Sequence, residues 1–236
     1  MDFPIVNIII TTYDNGDGKR TPLLNLTVDR LLNNLKYPNL NWIIADDGSP
    51  QQIDHLDDVR QQLKDNFTLT NALRAGVGKS KNLALVEAFK LSPLVLMLED
   101  DWILTRQLDL IDYVKILDQY DEIGMIRLGY LGGTMQAYLT SYNDITFWDL
   151  ERGSGVYIYS GQVSLRHERF YNACGFHPEG VDAGTEELDM CKKYNGIETA
   201  PKIVWPASFG CTLNSPNNLF HNIGMNDSLN NVQPEV

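Results

Sequence analysis

The chain has 236 residues, 43% of them hydrophobic, and carries a formal net charge of −12. That length supports one sizeable core, and that charge excludes the basic face a nucleic-acid binder needs. Cys174, Cys191 and Cys211 are too scattered for a disulfide framework or a metal finger, and no run reaches the ~20 apolar residues of a membrane span.

The opening "MDFPIVNIII" lacks a basic segment and is not expected to act as a signal peptide. The expected setting is a reducing cytoplasm, with at most peripheral membrane contact. Residues 5–13, "IVNIIITTY", are apolar and β-branched throughout, as a strand buried on both faces should be. Residues 21–36 place Leu and Val at helical spacing, with Pro22 suited to a first turn. A second buried strand, 40–49, ends in acids. Residues 52–65 read as an exposed helix and 66–72 as a short strand. A helix with a glycine-rich entry follows at 78–90, then the strand "PLVLMLED". An amphipathic helix at 108–120 and a strand at 123–129 complete a β-α alternation. It predicts an α/β fold, an open and mostly parallel sheet with helices on both faces. Beyond it, 146–167 reads as short antiparallel strands, 184–196 as a helix, and the Asn-rich tail from Asn214 as loop.

Parallel sheets bind ligands beyond the carboxyl ends of their strands. Three strands end there in polar clusters: Thr11-Thr12-Tyr13-Asp14, Asp46-Asp47-Gly48-Ser49 and Glu99-Asp100-Asp101. On an extended segment residues i and i+2 point the same way, so Glu99 and Asp101 would share a face and Asp100 would turn from it. Such hard oxygen donors suit Mg²⁺ or Mn²⁺, which would bridge a diphosphate. "AGVGKS" (75–80) ends like a phosphate loop but has Leu73 where that loop needs its first glycine. A helix entry flanked by Arg74, Lys79 and Lys81 still offers N–H groups and charge to an anion. An acidic helix start at "EELD" fits a catalytic carboxylate, the alternative being an acid favoured by the helix dipole. Tyr130, Tyr138, Tyr142, Trp148, Tyr157 and Tyr159 suit sugar stacking or core.

The order of these motifs resembles nucleotide-sugar glycosyltransferases of the GT-A fold, especially the large inverting family 2. The likeness runs over about residues 5–194, through "TTYDN", "DDGS", "GVGKSKNLAL", the Glu-Asp-Asp variant of an Asp-x-Asp motif, "YSGQVSLRHERF" and "GTEELDM". It implies a single GT-A domain, with residues 1–105 binding the nucleotide-sugar and 106–236 the acceptor, a carbohydrate or lipid-linked glycan. It implies a UDP-sugar donor by preference, and Mn²⁺ or Mg²⁺ as cofactor. By that resemblance Thr11, Tyr13, Asp14, Asp46, Asp47, Arg74, Lys79 and Asp100 fall at the donor. Asp101 would be the main metal ligand, with Glu99 beside it and His221 of "FHNIG" completing the set. Glu187 stands where the family has an aspartate base, with Glu186 and Asp189 as rivals. Gly16, Gly18, Lys19 and Arg20 after the first strand keep a nucleotidyltransferase open, and a non-catalytic binding module of the same fold is a third reading.

Overall fold

The computed structural model describes residues 3–129, 135–210 and 215–224. In chain order its elements are β1 (Val6–Thr12), α1 (Arg20–Asn34), β2 (Leu35–Lys36), β3 (Leu40–Asp46), α2 (Gln52–Leu63), β4 (Thr68–Asn71), α3 (Val77–Phe89), β5 (Leu94–Glu99), β6 (Trp102–Leu104) and β7 (Leu108–Asp109). Then come α4 (Ile111–Gln119), β8 (Ile123–Arg127), β9 (Ala137–Tyr142), β10 (Ile145–Leu150), β11 (Ser164–His167), α5 (Glu168–Cys174), α6 (Ala183–Gly196), β12 (Lys202–Pro206) and β13 (Phe220–Asn222).

Among the described residues nine strands form one sheet, in the order β4-β3-β1-β5-β11-β8-β12-β10-β9. The pairings of β4, β3, β1 and β5 are parallel. β11 inserts antiparallel between β5 and β8, and β10 antiparallel between β12 and β9, so only these two run against the rest. The sheet is therefore continuous from the amino-terminal strands into the second half of the chain.

The apolar runs segregate by parity, because successive strand side chains face opposite ways. Ile8 and Ile10, Trp42 and Ile44, and Leu94, Leu96 and Leu98 enter one core with Leu24, Val28 and Leu117 from α1 and α4. Ile9, Ile43, Ala45, Val95 and Met97 enter the other, against Leu85, Phe170 and Met190 from α3, α5 and α6. A strand feeding two cores has no polar alternation, which is why these three were readable as buried.

Some expectations change. The helix read as exposed at 52–65, α2, buries His55, Leu56, Val59 and Leu63 on one face. Residues 146–167 contain two strands, β10 and β11, but 151–163 between them are irregular. The tail read as loop from Asn214 contains β13, which pairs antiparallel with β6; residues beyond 224 and Cys211 lie outside the described residues. Cys174 and Cys191 are free thiols. Among the described residues no helix is long and apolar enough to cross a membrane.

Candidate functional site

The parallel strands β1, β3 and β5 place their carboxyl ends side by side. Beyond them lies a cavity of about 440 Å³, lined by Thr11, Tyr13, Arg20, Asp47, Ser80 and Glu99 among others, with Asp182 and Ala183 at the start of α6 on its wall.

On the β3 side the Arg74 guanidinium lies 3.9 Å from the centroid of the Tyr13 ring. Its loop is bound to the end of β3: the Arg74 N–H donates to the Asp47 carbonyl at 2.9 Å, and the Gly76 N–H to the Asp47 carboxylate at 3.0 Å. Gly48 is required where these loops cross, since a Cβ there would stand 2.8 Å from the Arg74 nitrogen. Burial raises the Asp47 carboxyl against the Gly76 bond. Asp46 is fully buried and accepts from Ser49 and from Gln52 Nε2, which shapes the turn rather than the cavity. Asp14 likewise works on its own loop, accepting the N–H groups of Gly16, Gly18 and Arg20. Burial opposes its charge, but those donors hold its carboxyl below the usual range. Lys79 turns to Glu179, 3.2 Å away, and Ser80 Oγ donates to the Ala45 carbonyl.

The acidic triplet differs from its extended reading. The chain turns after Glu99, so Asp100 and Asp101 both meet Arg20. Thr12 Oγ1 donates to Asp100 at 2.6 Å. Burial pushes the Asp100 carboxyl up to about 7 despite Arg20. Asp101 accepts from Asn222 Nδ2 at 3.1 Å, and Gly224 packs so tightly on its carboxylate that a Cβ would clash. His221 is the strand neighbour of Asn222, so its ring faces the other way and is exposed. Glu99 instead points toward Lys81, 3.6 Å away. Burial raises its carboxyl, Lys81 opposing.

Hard carboxylate oxygens beside a guanidinium mark a place built for positive charge, and they fit Mg²⁺ or Mn²⁺. Among the described residues no three His, Cys, Asp or Glu side chains gather into a ready metal cage. A cation here would complete its shell with ligand oxygens and water.

The second half supplies a buried network. Lys81 Nζ donates to Glu186 at 2.9 Å, and Glu186 also bonds the ring of His177. His177 lies between Tyr159 and Tyr171, whose hydroxyls accept from Arg166. Burial works against the charge on Lys81, but Glu186 and Glu99 hold it above its ordinary range. Burial opposes ionisation of Glu186 too, yet His177 and Lys81 pull its carboxyl well down. Glu187 sits differently. Half-buried, it accepts the Gly161 N–H at 2.7 Å. A Cβ at Gly161 would lie 3.6 Å from Lys81 Nζ, 3.7 Å from Glu99 Oε1 and 3.9 Å from Glu187 Oε1, so these three groups face one point. Asp189 pairs along the helix with Lys192. Asp182 caps α6 through Thr185.

Arg20, Lys81, His177, Gly161 and Asn222 were not singled out for these roles in the sequence. Lys19 and Arg20 stood there only in the loop that kept a nucleotidyltransferase open; Lys19 pairs with Asp17 and Arg20 with the acids. Of the aromatics, Tyr142 and Tyr159 are buried, Trp148 is half-buried, Tyr138 and Tyr157 are exposed, and Tyr130 lies outside the described residues.

His177 predicts a pH response. Burial lowers its pKa to about 4, against an ordinary value of 6.5. A depressed folded pKa means that its contribution is complete above pH 6.5 and lost as pH falls toward 4. The loss is on the order of 3 kcal/mol. A thermal melt series from pH 7 to 4 should show Tm falling across that window, and His177→Gln should flatten the fall. An unchanged slope would assign the effect to other groups.

This architecture is the GT-A fold. TarS 1–349 of S. aureus superposes with a TM-score of 0.59 at 18% identity, over 87% of this chain and 58% of that one. The mannosyltransferase PcManGT of Pyrobaculum calidifontis, in complex with GDP-Man and Mn²⁺, gives 0.54 at 16%, over 86% and 56%. GalNAc-T7 with UDP, GalNAc and Mn²⁺ gives 0.59 at 13%, over 86% and 42%. The chain thus spans less than two thirds of each of these structures. No family model and no curated protein matches its sequence.

Proposed function

We propose that the chain is a metal-dependent, inverting glycosyltransferase that moves a sugar from a nucleoside-diphosphate donor to a hydroxyl on a carbohydrate or lipid-linked glycan. The observation that carries this reading is convergence: the ends of β1, β3 and β5 and the start of α6 bring Tyr13, Asp47, Glu99 and Asp100 to one cavity, and Glu187 faces the same point as Glu99. We take residues 1–105 as the donor half and 106–236 as the acceptor half of one domain.

In this reading Tyr13 and Arg74 offer flat faces to the nucleobase, and Asp47 accepts from its N–H or from the ribose. Mn²⁺ or Mg²⁺ held by Asp101 and Asp100 would supply Lewis acidity to the departing diphosphate, with Glu99 turned to Lys81 beside them. Glu187 accepts the proton of the acceptor hydroxyl as that oxygen bonds the anomeric carbon and the bond to the diphosphate breaks. Glu186 is ion-paired in the interior, which leaves Glu187 as the freer carboxylate. TarS in complex with UDP-GlcNAc and GalNAc-T7 with UDP favour a uridine donor, while PcManGT with GDP-Man keeps guanosine as the alternative.

Calorimetric titration of UDP, GDP, CDP and ADP, with and without Mn²⁺, tests the reading. One of them should bind, and Mn²⁺ should strengthen it. Binding of triphosphates alone would favour nucleotidyl transfer, and silence for all would mean a fold without the activity.

A further inference from the structure

We propose that Arg20 and a divalent cation are alternative occupants of the Asp100–Asp101 carboxylates, so that loading the cation hands the guanidinium to the donor's diphosphate. The nucleotide half of this proposal rests on the glycosyltransferase reading; the cation half does not.

The geometry pre-places Arg20 with care. Gly16 and Gly18 adopt φ of +95° and +71°, and the Asp14 carboxylate gathers the N–H groups of Gly16, Gly18 and Arg20. That loop delivers Arg20 as the first residue of α1, facing the acids. Its guanidinium reaches Asp100 through Nε and Nη2, and Asp101 Oδ2 through Nη1 at 3.3 Å. The acids are sunk, with side chains 1% and 11% exposed, while the Arg20 side chain is 34% exposed and lines the cavity. Asp101 is fixed from behind by Asn222 and Gly224. Arg20 opens onto the cavity and so has room to leave.

A guanidinium and a divalent cation a few Å apart repel strongly even in a partly wet dielectric. Each therefore weakens the other's hold on the same oxygens. Without the cation, Arg20 neutralises two buried carboxylates. With it, the freed guanidinium stands beside the cavity, and its planar fork of N–H donors suits phosphate oxygens.

The test titrates Mn²⁺ alone into the full chain, free ion read by electron paramagnetic resonance, for wild type, Arg20→Gln and Arg20→Lys. Removing the competitor should tighten Mn²⁺ binding by about tenfold or more in Arg20→Gln. Arg20→Lys should show a smaller gain, because a point charge cannot fork across two carboxylates. With Mn²⁺ saturating, UDP or GDP should bind about tenfold more weakly to Arg20→Gln, the opposite direction. Damage to the fold alone would weaken both ligands. Should Arg20→Gln fail to fold, the Lys variant carries the test. Mn²⁺ affinity unchanged or lowered in the folded variants overturns the proposal, as does a lack of Mn²⁺ binding by all three chains. If wild type binds no nucleoside diphosphate, the functional reading fails while the Mn²⁺ comparison still decides the competition.

Discussion

Glu187→Gln should leave donor binding intact and lower transfer to an acceptor by about 10²- to 10⁴-fold, the range for a lost general base. The substitution is nearly isosteric, and its amide oxygen can still accept the Gly161 N–H that holds Glu187 Oε1 at 2.7 Å. What disappears is the capacity to take a proton. Calorimetry on the variant with UDP or GDP and Mn²⁺ separates the two functions, and a product assay gives the rate. Normal turnover would move the base elsewhere. Glu186 is a poor substitute, since Lys81 and His177 occupy its carboxylate in the interior. Asp189 is paired with Lys192 on the flank of α6. Asp182, at the cavity wall, would then be the first to examine.

Lys81→Met should destabilise the fold by about 3–5 kcal/mol, the cost of stranding a buried charge. Lys81 is 2% exposed and Glu186 1%, so water cannot replace the lost partner. A chain of this length should lose about 10 °C in Tm. Adding Glu186→Leu should recover part of that loss, because replacing both members of a buried pair is far cheaper than removing one. A single variant that melts like wild type would show that the pair contributes nothing measurable. A double variant no better than the single would place the cost in packing around the lysine stem instead.

Much of the amino-terminal architecture was legible because its strands feed two cores. Ile8, Ile9 and Ile10, or Leu96, Met97 and Leu98, leave no polar position to obscure the run. The second half lacked that signal. α5 is seven residues long, and β12 is a five-residue strand ending in Pro206, so neither supplies enough periods to read. The site divided along similar lines. Strand-end clusters announced themselves by composition, and three of them do meet at one cavity. Their partners did not. Arg20 meets Asp100 across 80 residues and Lys81 meets Glu186 across 105, distances over which one sequence carries no pairing information. The triplet 99–101 was misjudged for a local reason: alternation applies only while the chain stays extended, and it turns after Glu99.

The insertion of β11 between β5 and β8 has a consequence for synthesis. When β5 leaves the ribosome its outer edge, "LVLMLE", has no partner until Ser164–His167 arrives. At ordinary translation rates the intervening 64 residues (100–163) take about 3–13 s to make. During that interval an apolar strand presents unpaired N–H and C=O groups, which is the template for association with another chain. Cutting the gene after residue 105 would make the interval permanent. The amino-terminal fragment should therefore aggregate when expressed alone and dissolve when the rest of the chain is supplied, a requirement set by strand order and independent of any chemistry at the cavity.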